Sequence, residues 1–422
     1  MNILAVSNHY PPSHRGGYGI LCYRICEELT LRGHGVTVLT SLAENGSKPD
    51  SADMRVCSNV IRDLVLLPPR SMVRLIAGTI RNDLVVKRAL RTTKPDIVYI
   101  FGIDGVGFQV YHRATESGVP SLVAVGDTWL AQAWRDLPKF DPWIAVATGA
   151  GATGLVRLIK RCIGICGSAL GLFAGRRPAR EHRVHVISRF LADDLHDAMR
   201  TKERMPLLHT PVPLPPPYIS LAGEPSGRIG ARTDVLRALF VSRMERGKGP
   251  DTAILAVKEA VDAGADVVLT IAGIPLEAIE HELRALAASI GIAERVKWVG
   301  ELGPAELFRL YREHDVFVFP TRIIEGFGIV CAEAMACGLP VLATTTGGQT
   351  DLVINGYTGF LFAPSDFAAL GGLLARLAKD RSLLDALSAN AQQMVRAHHA
   401  AKVVDRVETL LEECRNNHSM NA

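Results

Sequence analysis

Asp315-Val-Phe-Val-Phe-Pro320, followed by Glu325-Gly-Phe-Gly-Ile-Val-Cys-Ala-Glu333, is the stretch of this 422-residue chain from which its fold can be read. A short apolar run ended by a proline predicts a strand buried on both faces, as in a parallel sheet, and the periodic segment 329–337 predicts the helix after it. The connection carrying Gly326 and Gly328 therefore lies at a helix N-terminus. There unpaired N–H groups favour negative charge, and residues without side chains let a ligand approach the backbone. Two carboxylates, Glu325 and Glu333, flank the turn. Taken alone, the stretch reads more simply as an ordinary strand–loop–helix connection, and the rest of the chain has to decide.

The same alternation recurs on both sides. In the second half, strands expected at 238–241, 267–272, 296–299, 316–320 and 341–344 alternate with helices at 251–263, 277–289, 304–313 and 329–337. In the first half, strands at 3–7, 36–40, 97–101, 121–125 and 184–188 alternate with helices at 19–32, within 71–91, at 105–116 and at 189–199. This βα rhythm implies parallel sheets. Pro211-Val-Pro-Leu-Pro-Pro-Pro217 can continue neither a helix nor a central strand. The expectation is an α/β chain with two doubly wound, Rossmann-like domains, residues 1–210 and 218–395, joined by a linker at 211–217. Residues 396–422 are expected to form a C-terminal helix and tail that pack back on the first domain. Ligands of such sheets bind at the C-terminal strand ends, so two sheets facing one another would enclose a cleft.

Composition narrows the class. With 48% hydrophobic and 21% charged residues the chain reads as a globular enzyme, and a net charge of +4 implies no nucleic-acid partner. The eight cysteines form no CxxC pair, so neither a zinc site nor a redox motif is indicated, and they read as reduced, mostly buried thiols. Met1-Asn-Ile-Leu-Ala-Val6 is already strand-like and shows no leader pattern, which points to the cytoplasm. One segment stands apart. Residues 143–156 and 162–175 are apolar, Gly/Ala-rich runs separated by Arg157-Leu-Ile-Lys-Arg161, each shorter than the ~20 residues that span a bilayer. Two readings remain open for 143–177. One is a surface resting peripherally on the inner face of the membrane, with Arg157, Lys160, Arg161, Arg176 and Arg177 near lipid phosphates; the other is a buried helical hairpin.

Chemistry is expected at the strand ends. Ser242-Arg-Met-Glu-Arg-Gly-Lys-Gly249 places Arg243 and Lys248 between a strand and a helix, where a guanidinium and an ammonium suit a diphosphate. After the first strand, Tyr10-Pro-Pro-Ser-His-Arg-Gly-Gly-Tyr-Gly19 offers the backbone of Gly16 and Gly17 to an anion or a sugar. Gly17-Tyr-Gly-Ile-Leu-Cys22 lacks the third glycine of GxGxxG, and Ser41 stands where a ribose-binding carboxylate would end the second strand, so a dinucleotide cofactor is disfavoured. Gly347 and Gly348 repeat the design after the strand at 341–344. Asp127, ending the strand at 121–125, is a candidate polar contact to an acceptor or sugar, as is Tyr10, although an aspartate there is often only a helix cap. Glu325 points at whatever docks in its loop, whereas Glu333 lies further into the helix and suits a ribose. The adjoining phosphate-type loop argues against a glycosidase pair.

These residues resemble the retaining glycosyltransferases of family 4, which have the two-domain GT-B fold. The motifs that carry the likeness, in order, are Asn8-His-Tyr-Pro-Pro with Gly16-Gly17, Leu31-Arg-Gly-His-Gly-Val-Thr-Val38, Val186-Ile-Ser188, the Arg243/Lys248 loop, the Glu325/Glu333 motif and Thr346-Gly-Gly348. The resemblance implies that Arg243 and Lys248 hold the donor diphosphate and Glu325 the donor sugar. It places the backbone of Gly326, Phe327 and Gly328, with Ile329, along that sugar, Glu333 on the ribose, and Gly17 beside the phosphates and acceptor. It implies no metal and no cofactor beyond the nucleotide-sugar substrate. The acceptor would be a sugar, a lipid-linked or a small molecule, as in the synthesis of polysaccharides, glycolipids or glycosides. A nucleotide-sugar epimerase of the same architecture, or a non-catalytic nucleotide-sugar-binding subunit, is the alternative. There is one departure: where many relatives carry His-Asp, this chain has Gly126-Asp127, so the histidine contact is missing or supplied by another residue.

Overall fold

The computed structural model describes residues 1–11, 17–42, 58–67, 72–140, 144–146, 149, 152–169, 183–199, 208–210, 212–215, 218, 234–274, 276–398 and 400–421. The chain divides into two compact units, Met1–Pro213 with Ala400–Ala422, and Leu214–His399.

In the first unit the elements run β1 (Asn2–Val6), α1 (Gly17–Leu31), β2 (Gly35–Ser41), β3 (Asn59–Leu64), α2 (Met72–Thr93), β4 (Ile97–Ile100), α3 (Phe108–Thr115), β5 (Ser121–Val125), α4 (Trp129–Phe140), α5 (Gly154–Ala169), β6 (Arg183–Val186), α6 (Arg189–Met199) and β7 (Leu208–His209). The strands pair in parallel in the order β3-β2-β1-β4-β5-β6-β7. β1, β4 and β5 lie inside the sheet and are almost wholly buried, which is why their sequences are continuous apolar runs. β3 is an edge strand and half exposed, and its Asn-Val-Ile-Arg-Asp-Leu sequence gave no strand signal. Chain order reverses between β1 and β4.

The second unit runs β8 (Leu236–Val241), α7 (Pro250–Asp262), β9 (Val267–Ala272), α8 (Glu277–Ser289), β10 (Val296–Gly300), α9 (Pro304–Arg312), β11 (Val316–Phe319), α10 (Ile329–Ala336), β12 (Val341–Thr344), β13 (Gly359–Phe362), α11 (Phe367–Lys379) and α12 (Arg381–Met394). Its parallel sheet has the order β10-β9-β8-β11-β12-β13, reversing between β8 and β11. Pro250 and Pro304 start their helices at positions where no N–H is needed, and Asp366 and Asp380 cap the last two by accepting from Ala369 N and Leu383 N. Leu236, Phe240, Ile254, Val257, Leu269, Ile271, Val316 and Val318 fill the core with Leu370 and Leu374 of α11. α11 lies close along α7 because residue 371 is glycine: a Cβ there would sit 2.4 Å from that of Glu259 and 2.9 Å from the carbonyl of Ala256.

The last helix, α13 (Ala400–Asn421), belongs to the first unit and packs on α1, β4 and β5. Val403, Val404, Val407, Leu410 and Leu411 are buried, and Arg32 bridges to Asp405, Glu408 and the carbonyl of Ala401. The described part of the proline-rich segment, residues 212–215, is fastened by hydrogen bonds and burial. Arg24 donates to the carbonyl of Pro213, Leu214 N donates to the carbonyl of His398, and Val212 and Leu214 are buried.

Of the apolar segment, the described residues 154–169 form one helix, α5, that passes through Arg157, Lys160 and Arg161 without interruption and is exposed along most of its length, unlike the buried hairpin of the second reading. Arg176 and Arg177 lie outside the described residues. Cys162 and Cys166 on α5 are exposed, unlike the buried Cys22, Cys26, Cys331, Cys337 and Cys414. Among the described residues, no helix is long and apolar enough to cross a membrane.

Candidate functional site

In the second unit three loops meet at the C-terminal ends of β8, β11 and β12. The first, after β8, turns through a short 3-10 segment, Arg246–Lys248, into α7. Gly249 caps that helix at φ 74°, and a Cβ there would lie 2.1 Å from the carbonyl of Pro320, so glycine is required both for conformation and for space. The backbone continues the contact, since Arg322 N donates to the carbonyl of Gly247 at 2.7 Å. The loops after β8 and β11 are thereby laced together across the point where strand order reverses, where open α/β sheets bind ligands.

Side chains reinforce this lacing with paired charge. Lys248 Nζ forms an ion pair with Glu325 Oε1, both side chains being largely buried. Arg322 pairs with Asp251 in the first turn of α7, and the half-exposed Arg243 pairs with Glu245 at 2.8 Å. Each cation expected to meet a diphosphate thus holds a carboxylate. A Lys–carboxylate contact leaves two ammonium N–H groups for a further acceptor.

Around Glu325 the backbone is held tightly. Gly348 N donates to the carbonyl of Glu325 at 2.8 Å, and a Cβ on Gly348 would lie 2.1 Å from the carbonyl of Gly326. Gln349, fully buried, donates through Nε2 to the carbonyls of Thr344 and Thr346, and Thr344 Oγ1 donates to the carbonyl of Thr321. Gly328 caps α10 at φ 84° and Ile329 is the first helical residue. Phe327 turns its ring inward, 5.4 Å from that of His398, so only its backbone is available to a ligand. The N-terminus of α10 opens directly beside the Lys248–Glu325 pair and contributes positive potential from its unpaired N–H groups. Glu333, one turn on, is buried. Burial, and then the neighbouring Glu333 carboxylate, raises the Tyr311 hydroxyl and the Cys337 thiol well above their ordinary pKa.

The first unit has its own cluster at the ends of β1, β4 and β5. Gly16 lies outside the described residues, and Gly17 is the exposed first residue of α1. Tyr18, next along, lays its ring across two strand ends: a Cβ on Gly126 would come 2.1 Å from its Cε2, and one on Gly102 2.9 Å from its Cδ1. Its hydroxyl donates to the carbonyl of Ala124 and accepts from Gly126 N at 3.1 Å and Trp129 Nε1 at 3.4 Å. The place a side chain at 126 would take is therefore filled by Tyr18. Asn8, at the end of β1, donates through Nδ2 to the carbonyl of Asp104, while its buried Oδ1 has no hydrogen-bond partner.

Asp127 accepts from Trp129 N at 2.8 Å through Oδ1 and so caps α4. Burial against the protein, opposed by that N–H and assisted by Asp104, pushes its pKa up to about 6; the residue is nevertheless exposed on its outer side, where water screens part of the effect. Tyr10 requires a correction. Expected as an acceptor or sugar contact, it is fully buried, its hydroxyl bonded to Glu27 Oε1 at 2.8 Å and Ser58 Oγ at 3.0 Å, and it presents nothing to a ligand. Sequence reasoning missed Tyr18, Arg322 and the Lys248–Glu325 contact; the available signal for Tyr18 was a glycine just past each of two buried strands. Among the described residues, no cluster of His, Cys, Asp and Glu could hold a metal ion.

Residues 16–190 match the model of a glycosyl transferase 4-like domain and residues 226–394 that of glycosyl transferases group 1, one within each unit. The chain belongs to the GT4-type, GT-B glycosyltransferases. Over 187 residues, 43% of its length, it is 34% identical to D-inositol 3-phosphate glycosyltransferase 1 of Catenulispora acidiphila. That match covers 44% of the relative, less than half of it. The fold of this family member is shared along its length with sucrose-phosphate synthase from Thermosynechococcus elongatus, at TM-score 0.68 and 20% identity over 97% of this chain and 98% of that one. It is shared equally with Anabaena HepE in complex with UDP and glucose, at TM-score 0.66 and 19% identity over 98% and 99%.

Proposed function

We propose that the protein transfers a sugar from a nucleotide diphosphate donor to an acceptor hydroxyl, with retention of anomeric configuration and without a metal ion. The observation that carries this reading is the Lys248–Glu325 ion pair beside the N-terminus of α10, at the point where the strand order of the second sheet reverses. It joins a diphosphate-type cation to a carboxylate suited to sugar hydroxyls. The HepE structure with UDP and glucose supports a donor of this class.

In the proposed reaction the bond from the anomeric carbon to the diphosphate oxygen breaks and its electron pair leaves with the nucleoside diphosphate. The acceptor oxygen bonds to the same face of the sugar, and its proton passes to a diphosphate oxygen. Negative charge accumulates on the leaving group, and groups fixed in advance to meet it are worth most. Arg243 and Lys248 supply the cations. Glu325 and the backbone of 326–328 orient the sugar, with Ile329 starting the helix below, and Glu333 takes the ribose. Asp127 is the candidate polar contact of the first unit to the acceptor or sugar. The acceptor is a sugar, a lipid-linked molecule or a small-molecule hydroxyl.

The test is a thermal-shift panel of nucleotide sugars on the whole chain, since a ligand of the folded state raises its melting midpoint. The stabilising donor is then incubated with acceptors in EDTA and the product linkage read by NMR. The expected result is transfer with the donor's anomeric configuration kept. A new nucleotide sugar formed without acceptor would identify an epimerase, and binding without turnover a non-catalytic subunit; either overturns the proposal.

A further inference from the structure

α5 inverts the pattern of an ordinary surface helix. Leu155, Leu158, Ile159, Cys162, Ile165 and Cys166 recur at three- and four-residue intervals and so form one stripe along it. In a globular protein such a stripe turns to the core, yet here Leu155 is 71% exposed, Leu158 60%, Ile159 51% and Ile165 70%, with both cysteines exposed as well. Among the described residues of α5, Gly164 and Gly167 are buried, on the opposite side. A continuous outward apolar stripe of this kind marks a surface that is covered in use.

Charge decides what covers it. From Asp141 to Glu181 the sequence contains six Lys or Arg residues and no acid between those two ends. Arg157 and Arg161 lie one turn apart on one side of the stripe, Arg161 next to it, and are exposed, and Arg157 is steadied by donating to the carbonyl of Ala152 at 2.6 Å. A second copy docked symmetrically would set these cations against themselves, which opposes pairing. An acyl layer under anionic headgroups meets both features. Sixteen residues at ~1.5 Å each reach ~24 Å, short of the ~30 Å hydrocarbon core, so the helix suits lying in the interface rather than crossing it.

We propose that α5 is the docking surface by which the protein rests on an anionic lipid bilayer, its apolar stripe at the boundary between headgroups and acyl chains and Arg157 and Arg161 at lipid phosphates. The inference rests on the exposure of α5 and not on the transferase reading. An inactive Lys248→Ala chain is accordingly expected to bind as the wild type does.

The experiment is co-sedimentation of the full chain with vesicles of phosphatidylcholine alone or mixed with phosphatidylglycerol. Wild type should sediment with the anionic vesicles and be released by salt. Leu158→Gln combined with Ile165→Gln should lower the vesicle partition constant by at least about tenfold, with an unchanged melting midpoint because both side chains are exposed. Arg157→Gln combined with Arg161→Gln should lose about tenfold on anionic vesicles only. No co-sedimentation at low salt overturns the proposal, as does undiminished binding by the apolar double variant. Gel filtration showing a dimer that this variant dissociates would assign the stripe to a second copy instead.

Discussion

Gly126→Ala should destabilise the first unit through one neighbour, Tyr18. The backbone at 126 has no positive φ, so it accepts a side chain. The space does not: a Cβ would lie 2.1 Å from Tyr18 Cε2 and 2.5 Å from Cδ2. The ring must move, and with it the hydroxyl that donates to Ala124 and accepts from Gly126 N and Trp129 Nε1. Overpacking of this kind costs about 1–3 kcal/mol, and a disturbed hydrogen bond adds about 1 kcal/mol. We expect about 2–4 kcal/mol in total. In a Tyr18→Ala background the same methyl enters vacated space and should cost below about 0.5 kcal/mol, giving a coupling energy of at least about 1.5 kcal/mol in the double-mutant cycle. Urea unfolding followed by tryptophan fluorescence, to which Trp129 beside Tyr18 contributes, measures all four corners. A Gly126→Ala chain as stable as wild type, or an equal cost in both backgrounds, would refute the account of Tyr18 as the side chain that fills the end of β5.

Further consequences can be measured separately. Lys248→Ala or Arg243→Ala should lower transfer by about two to three orders of magnitude, as for loss of one preorganised charge-stabilising group, and near-wild-type rates in both would remove them from the site. Glu245→Gln, which frees Arg243 from its exposed partner at 2.8 Å, should lower the donor KM by up to about fivefold; an increase in KM would show that Glu245 positions Arg243 instead. Tyr10→Phe should cost about 1–3 kcal/mol by leaving Glu27 without one donor, while kcat and KM stay unchanged, and a large kinetic effect would return Tyr10 to the ligand. For Asp127 the pKa is pushed up to about 6 from the ordinary 3.8, so the folded state binds more protons than the unfolded one between those values. Stability should therefore fall as pH rises from about 4 to 6, by an amount reduced by water at its exposed side, and Asp127→Asn should flatten that slope. A wild-type slope identical to the variant's would place the pKa near its ordinary value.

What the sequence discloses about the fold follows from burial on both faces. β5, β9 and β12 are continuous apolar runs ended by glycine or threonine, and their limits coincide with those expected from the pattern. β3, β7 and β13 are sheet-edge strands: β3 mixes polar with apolar residues, β7 spans two residues, and the three apolar residues of β13 are too few to tell a strand from a turn. α5 misleads for the opposite reason. Its apolar content is as high as that of a core helix, and only the structure shows that the stripe turns outward, because local periodicity fixes which residues share a face and not what that face meets.

The site was legible as a set of strand-end loops but not as a set of charge pairs. Lys248 and Glu325 are 77 residues apart and Arg322 and Asp251 71 apart, and nothing local in either stretch announces its partner. Read singly, Lys248 is a free cation awaiting phosphate and Glu325 a free acceptor awaiting sugar. Read together, each already satisfies the other, so a largely buried ammonium and carboxylate need no ligand to be tolerated. A diphosphate arriving beside Lys248 then adds an anion to a neutral pair rather than neutralising a bare cation, and its binding strength is the difference between the two arrangements. Removing Glu325 should accordingly strengthen the hold on the nucleoside diphosphate product while weakening the placement of the sugar. Glu325→Gln is therefore expected to bind the free nucleoside diphosphate at least as tightly as wild type and to lose turnover. Loss of nucleotide binding in that variant would mean that Glu325 holds Lys248 in place, and that the pair acts as one positioning unit.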